Sequence, residues 1–369
     1  MYKLILLLVC CFISNTVFAN DIAYLTDGKT IGIFDLDKKT MSGYVKPLPQ
    51  SKWFPRKVVF NADHSLAYVI NGTWWNRDTA GIAIVDTKTG NEIAETALPH
   101  WASSFAIAPN GQYAYVGSLT NSVTGTTKVT GINILDLKSN KIVGSVKDGK
   151  DEYQGGAWPI LFTPDGKYAV CGVEIPLQYG SFDSGIFLID TATHNVIAKI
   201  MDKRRIDIFN SDLALSKDGK KLYVASHNIL NAQGDLQDAV RIIDLPSLRV
   251  TKSIFYDMDS KIDDDAATPQ ITVSAEGDRI YVRRRVSIVV IDALHEAYSH
   301  HKTVAEGDQI LNKFMLSPDK SKLYLNILDL NPANNISTID LGTEESGDRV
   351  WIDGLDALVD MNVFSGAAG

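Results

Sequence analysis

Ser216-Lys217-Asp218-Gly219, then Leu222-Tyr223-Val224-Ala225-Ser226, then an apolar run closed by Asp244: this stretch is the unit from which the chain is built. Its first four residues read as a hairpin turn, because Asp bonds nearby backbone N–H groups and Gly accepts a positive φ. The turn recurs as Asn61-Ala62-Asp63-His64, Ala108-Pro109-Asn110-Gly111, Thr163-Pro164-Asp165-Gly166, Ser274-Ala275-Glu276-Gly277 and Ser317-Pro318-Asp319-Lys320. Five residues after the acidic or amide residue stands an aromatic: Tyr68, Tyr115, Tyr223, Tyr281 or Tyr324. Val170 takes that place in the fourth unit, and Tyr24 fits the same column in the first.

The closing aspartates are Asp35, Asp86, Asp136, Asp190, Asp244, Asp292 and Asp340, spaced 51, 50, 54, 54, 48 and 48 residues apart. Self-similarity at such a period marks a repeat architecture. The apolar segments within each unit, such as Leu222-Tyr223-Val224-Ala225 and Ile186-Phe187-Leu188-Ile189, have strand length and composition. Four short antiparallel strands per period describe a propeller blade, so the chain reads as all-β, a seven-bladed β-propeller of four-stranded antiparallel blades. Each aspartate opens a polar turn, as in Asp86-Thr87-Lys88-Thr89-Gly90. Its carboxylate is expected to accept that turn's own N–H groups and to carry no catalysis.

The two ends predict how the ring closes. The first unit begins at Asp21 with its second strand, Ile22-Ala23-Tyr24-Leu25-Thr26, and has no first one. Leu358-Val359-Asp360-Met361-Asn362-Val363-Phe364 is left over after the last blade. It is predicted to supply the inner strand of blade 1, which also hides an edge that would otherwise invite aggregation.

Residues 1–19 stand apart from the repeat. Lys3, the apolar stretch from Leu4 through Ile13 and the small-residue pattern Val17-Phe18-Ala19 read as a secretory signal peptide cut after Ala19. The apolar run is shorter than the roughly 18 residues needed to span a bilayer. Residues 20–369 are then one propeller domain, periplasmic or secreted, with no membrane span. Losing Lys3 moves the formal net charge from −8 to −9. Of three cysteines only Cys171 lies beyond the signal, so stability must come from core burial without an internal disulfide.

Tyr68-Val69-Ile70-Asn71, Tyr115-Val116-Gly117-Ser118 and Tyr223-Val224-Ala225-Ser226, with the turns preceding them, resemble the YVTN-type repeats of YncE-like seven-bladed propellers. The wider superfamily includes the propeller subunit of quinohemoprotein amine dehydrogenases. The resemblance covers essentially the whole mature chain and implies the fold and repeat type. It bears little on activity, since one fold hosts many functions.

Function is sought where the units differ. From the tyrosine column to the aspartate column the spacing is 11, 18, 21, 20, 21, 11 and 16 residues, so the second-to-third strand connections are long in blades 2 to 5. Those loops share a rim with the links between blades, and variable loops on a rigid scaffold are where binding usually lives. This rim is predicted to gather Trp53, Arg56, Trp74, Trp75, Arg77, His100, Trp101, Tyr153, Trp158, Arg204, Arg205 and Asp207. Two readings are open. The indoles plug wedge-shaped gaps between blades, or they form an aromatic and basic mouth for a flat or anionic ligand. The net charge argues against a single-stranded nucleic-acid partner, whose binding leans on phosphate neutralisation.

Other clusters carry less. Asp257-Met258-Asp259-Ser260-Lys261-Ile262-Asp263-Asp264-Asp265 lacks the EF-hand pattern and reads as a solvated acidic loop. Arg283-Arg284-Arg285 is expected to pair with that loop, and His295, His300 and His301 to lie on the opposite rim. No nucleophile elbow, zinc-protease helix, haem-attachment motif or phosphate-binding glycine loop is present, so no catalytic residue, metal or cofactor is expected. The leading expectation is a monomeric, non-enzymatic binding or scaffolding propeller that engages a protein or a small anionic or aromatic ligand through the rim of blades 2 to 5. The alternatives are an accessory subunit of a periplasmic redox complex, which the resemblance suggests, and a lactonase-type hydrolase using His100 and Asp207.

Overall fold

The computed structural model describes residues 20–365 apart from 52, 74–75, 119–129, 177–181, 202–210, 231–235, 257–268, 330–333, 353–354 and 356–359. The strands form seven antiparallel sheets, each four-stranded in its blade core, which is the seven-bladed propeller that the repeat implies. Blade 1 is made from both ends of the chain. Asp360–Ser365 pairs with Asp21–Thr26 in the register Ala23↔Val363 and Tyr24↔Asn362. The leftover segment is therefore the inner strand of blade 1, and the ring closes there.

The inner strands of the other blades are Pro55–Phe60, Ala102–Ile107, Gly156–Phe162, Ser211–Leu215, Ile271–Val273 and Ile310–Leu316. Seven apolar clusters stabilise the ring, one at each junction between consecutive blades. The tyrosine column belongs to these junctions. Tyr24, Tyr68, Tyr115, Tyr223, Tyr281 and Tyr324 each sit in the cluster shared with the following blade, and Val170 does the same in blade 4. Rings meet across the gaps, Tyr68 with Phe105 at 5.5 Å and Tyr115 with Phe162 at 5.0 Å between centroids. An aromatic at this position fills a wedge that an aliphatic side chain would leave loose.

The aspartate column is turn chemistry in all seven blades. Asp86 accepts from the Thr89 N–H at 2.8 Å and hydroxyl at 2.7 Å, and Asp190 accepts from the same two groups of Thr193. Asp136, Asp244, Asp292 and Asp340 repeat the pattern, and Asp35 accepts from the Lys38 N–H. Two connectors, at Lys46 and Lys147, add parallel pairing to the outer strand of the next blade and cover part of its free edge.

Candidate functional site

The chain enters each inner strand at the same rim of the ring, and in four blades it does so irregularly. Register shifts interrupt the inner strands at Pro55/Lys57, Ala102/Ser104, Ala157/Ile160 and Leu311/Lys313. Bulges of this kind leave extra residues unpaired and re-aim side chains, which is why they gather at barrel rims and binding sites. The residues set aside are Arg56, Ser103, Trp158 with Pro159, and Asn312.

Just below the bulges runs a ring of polar residues in or beside the inner strands: Asp360, Lys57, Ser104, Asp212, Gln270 and Lys313. Most of them join one blade to the next. The Val58 N–H donates to Asp360 Oδ2 at 3.0 Å, and the Lys313 ammonium pairs with Asp360 Oδ1. The Ile160 N–H donates to Ser104 Oγ at 3.1 Å. The Ile271 N–H donates to Asp212 Oδ2 at 3.1 Å. Gln270 makes a two-way bond with the Phe314 backbone, accepting at 3.0 Å and donating at 2.7 Å. Lys57 alone among the charged members has no hydrogen-bond or ion-pair partner among the described residues.

These charges share one central space. Burial pushes the Lys57 ammonium below the usual lysine range and the Lys313 charge adds to this, while the carboxylates of Asp360 and Asp212 oppose it. Burial likewise raises the Asp212 carboxyl, against the N–H groups it accepts from and against Lys57 and Lys313. Blades 1, 2, 5 and 7 contribute these four groups, and their charges act on one another.

The residues expected at the mouth divide into three groups. Trp53 and Trp158 are half-buried against the clusters of the blade 1–2 and blade 4–5 junctions, which is the plugging role. Tyr153 is no mouth residue: it is 3% exposed in the blade 3–4 core. Its hydroxyl lies 2.8 Å from the Gly156 carbonyl and 3.1 Å from that of Glu174, and its ring packs on Phe187. An aromatic with a hydroxyl was the right type for a mouth, but the connector turns inward there. Arg56 and Trp101 differ from these. Among the described residues, the buried Arg56 Nε and Trp101 Nε1 have no hydrogen-bond partner, nor do the two amide atoms of Asn71, which is paired with Pro55. His100, next to Trp101, is half-buried. Trp74, Trp75, Arg204, Arg205 and Asp207 lie outside the described residues, as does the side chain of Arg77.

The acidic stretch 257–265 also lies outside the described residues. In the arginine run, Arg283 donates to the Leu311 carbonyl at 2.8 Å and Arg284 pairs with Asp238 of blade 5. His300 lies in the outer strand Ala297–Thr303 of blade 6, where its Nε2 is 3.0 Å from Glu344 Oε2 beside a cleft of about 250 Å3 lined by Asp278, Arg279 and Asp292. No metal-binding group of three or more ligands occurs among the described residues.

The channel ring was missed from sequence, although a signal was present. Lys57, Ser104, Asp212, Gln270 and Lys313 each stand six residues before the acidic or amide residue of the following turn, in a column of otherwise apolar strands.

No family model matches the chain, and no curated protein matches it. Solved structures do. The chain is similar to hydrazine synthase of Kuenenia stuttgartiensis, at 17% identity over 88% of this chain and 90% of that one, with a TM-score of 0.57. It is similar to the dihydro-heme d1 dehydrogenase NirN in complex with DHE, at 13% identity over 94% and 75% of the two chains, TM-score 0.58. It is also similar to a candidate 6-phosphogluconolactonase of Bacteroides fragilis, at 14% identity over 95% and 99%, TM-score 0.60. At these identities the likeness extends to the fold and no further.

Proposed function

We propose that this chain is an exported, non-enzymatic binding propeller of the YncE-like type, which engages a partner or a small anionic or aromatic ligand at the channel mouth of blades 2 to 5. The supporting observation is the group of orphaned polar atoms at blades 2 and 3: Arg56 Nε, Trp101 Nε1 and the Asn71 amide. Burying a donor unpaired costs about 1–3 kcal/mol, and a partner bound at this mouth would satisfy these groups. Arginine beside an indole suits a flat or anionic group, which it can meet by stacking and by paired N–H donation.

The neighbours carry two alternatives, an accessory role in a redox complex and a lactonase-type hydrolysis. For the second, the channel carboxylates are already engaged, Asp360 by Lys313 and Val58 and Asp212 by Ile271. The binding role is tested by affinity capture from an extract of the exported compartment with wild type and an Arg56→Ala, Trp101→Ala variant of matched melting temperature. A component retained by wild type and lost from the variant supports the mouth. Equal retention, or none by either, refutes it.

A further inference from the structure

We propose that His194 is an acid-sensitive latch on the connector between blades 3 and 4, and that its protonation releases that connector. Within the connector, Lys147–Asp148 pairs with Asp151–Glu152, and the ribbon lies along the start of the outer strand Asn195–Met201 of blade 4. Two contacts fasten it. The Lys147 N–H donates to the His194 carbonyl at 3.0 Å, and the Asp148 carboxylate pairs with Lys199. The connector ends in Tyr153, whose N–H donates to the Val146 carbonyl at 3.0 Å and whose ring is buried in the blade 3–4 core.

The latch is held under strain. His194 has a φ of +55°, a left-handed conformation that a residue with a Cβ adopts at a cost. The same turn position in blade 2 is Gly90, at φ +68°, where no such cost arises. Gly90 holds its own connector in the same way, its carbonyl accepting from the Lys46 N–H at 2.8 Å. What keeps a histidine in a glycine's place is the seat of its ring. Nδ1 lies 2.7 Å from the Tyr115 hydroxyl, and the imidazole meets the Tyr113 and Tyr115 rings edge-on, at 5.2 and 5.8 Å between centroids. Tyr115 is 0% exposed and has no other hydrogen-bond partner among the described residues, so its hydroxyl donates and Nδ1 is the unprotonated nitrogen.

Protonation makes Nδ1 a donor, takes the acceptor away from a buried hydroxyl and puts a charge into an aromatic seat. The ring leaves, the left-handed turn loses what offset its strain, and the carbonyl that holds Lys147 turns away. The titratable groups around the ring are Tyr113 and Tyr115 of blade 3, Asp190 of its own turn, and Lys147 and Asp148 of the connector. Burial sets His194 below the usual histidine range, and the Asp190 carboxylate opposes this. With a lowered folded value, the contribution of the latch is complete above about pH 6.5 and is lost as pH falls through the folded value. Gly90 has nothing to titrate, so the blade 1–2 connector serves as an internal control.

The experiment is hydrogen exchange of the full mature chain, read by mass spectrometry at about pH 7.5 and about pH 5 and corrected for intrinsic exchange rates. In wild type, protection over 146–153 is expected to fall at least about five-fold at the lower pH, with protection over 45–50 unchanged. His194→Gly, which takes the left-handed turn without the ring, is expected to keep its connector protected at both pH values. Unchanged protection in wild type overturns the latch, as does an equal loss in the two connectors or in His194→Gly. Should His194→Gly not fold, a pH series on wild type decides: release along a one-proton curve centred between about pH 5 and 6.5 is expected, and any other midpoint, above all one near pH 4 that would assign release to Asp148, overturns the proposal.

Discussion

Replacing Asp360 by alanine tests whether the ring is fastened where the C-terminal strand enters it. The Asp360 side chain is 6% exposed and that of Lys313 31%, so the carboxylate is the more deeply committed partner. Removing it leaves two debts. The Lys313 ammonium loses its counter-charge in an enclosed channel, a loss put at about 3–5 kcal/mol for a fully buried pair and about 2 kcal/mol here, since water still reaches the lysine. The Val58 N–H loses its acceptor at 3.0 Å, which adds about 1–2 kcal/mol. Asp360→Ala should therefore cost about 3–4 kcal/mol in all. Lys313→Met leaves Asp360 bonded to Val58 and within reach of the Lys57 charge, and should cost about 1 kcal/mol. Guanidinium unfolding followed by tryptophan fluorescence gives both values from shifts of midpoint at constant slope. Equal losses, or a larger loss for Lys313→Met, would show that closure does not depend on this carboxylate.

Two further outcomes follow from the turns and from the blade 3–4 junction. Hydroxyl and backbone N–H groups of the turns hold Asp86, Asp136, Asp190 and Asp244 below the usual aspartate range, and backbone N–H groups do so for Asp292 and Asp340. A depressed folded value contributes stability above the unfolded value of about 3.9, which is lost as pH falls through the folded values. Melting temperature should therefore drop steeply below about pH 4, and Asp190→Asn should flatten part of that drop; an unchanged pH profile in the variant would refute the linkage. Tyr153→Phe removes a buried hydroxyl and orphans its carbonyl partners, so it should cost about 1–2 kcal/mol in the same unfolding assay while leaving capture at the mouth unchanged. Lost capture at unchanged stability would return Tyr153 to the binding surface.

The repeat made the scaffold legible because its signals are local. An aspartate that accepts its own turn's N–H groups, and a tyrosine at a fixed distance from a turn, need no knowledge of partners distant in sequence. Closure was legible for a related reason: a blade short of one strand and a strand without a blade must meet. Tyr153 was misplaced because whether a connector's aromatic turns out to solvent or in against Phe187 depends on the neighbouring blade's surface. The polar ring of the channel was hidden by its own variety. Lys57, Ser104, Asp212, Gln270 and Lys313 share a position but no chemistry, so they do not register as a column until the strands are placed around one axis.

That variety is what an evolved channel requires. At a junction the same problem recurs seven times and has the same answer, a tyrosine or valine in the wedge. Inside the channel the inner-strand side chains converge on one space, where a set of like charges would repel and a set of apolar groups would seal it. Asp360, Gln270 and Ser104 spend their polarity on a backbone group of the next blade, which locks neighbouring inner strands without placing net charge in the middle. Lys313 neutralises Asp360, and the bulges at blades 2, 3, 4 and 7 interrupt the inner strands above. Lys57 and Asp212, of opposite charge, complete the set, so the four charged groups of the ring balance.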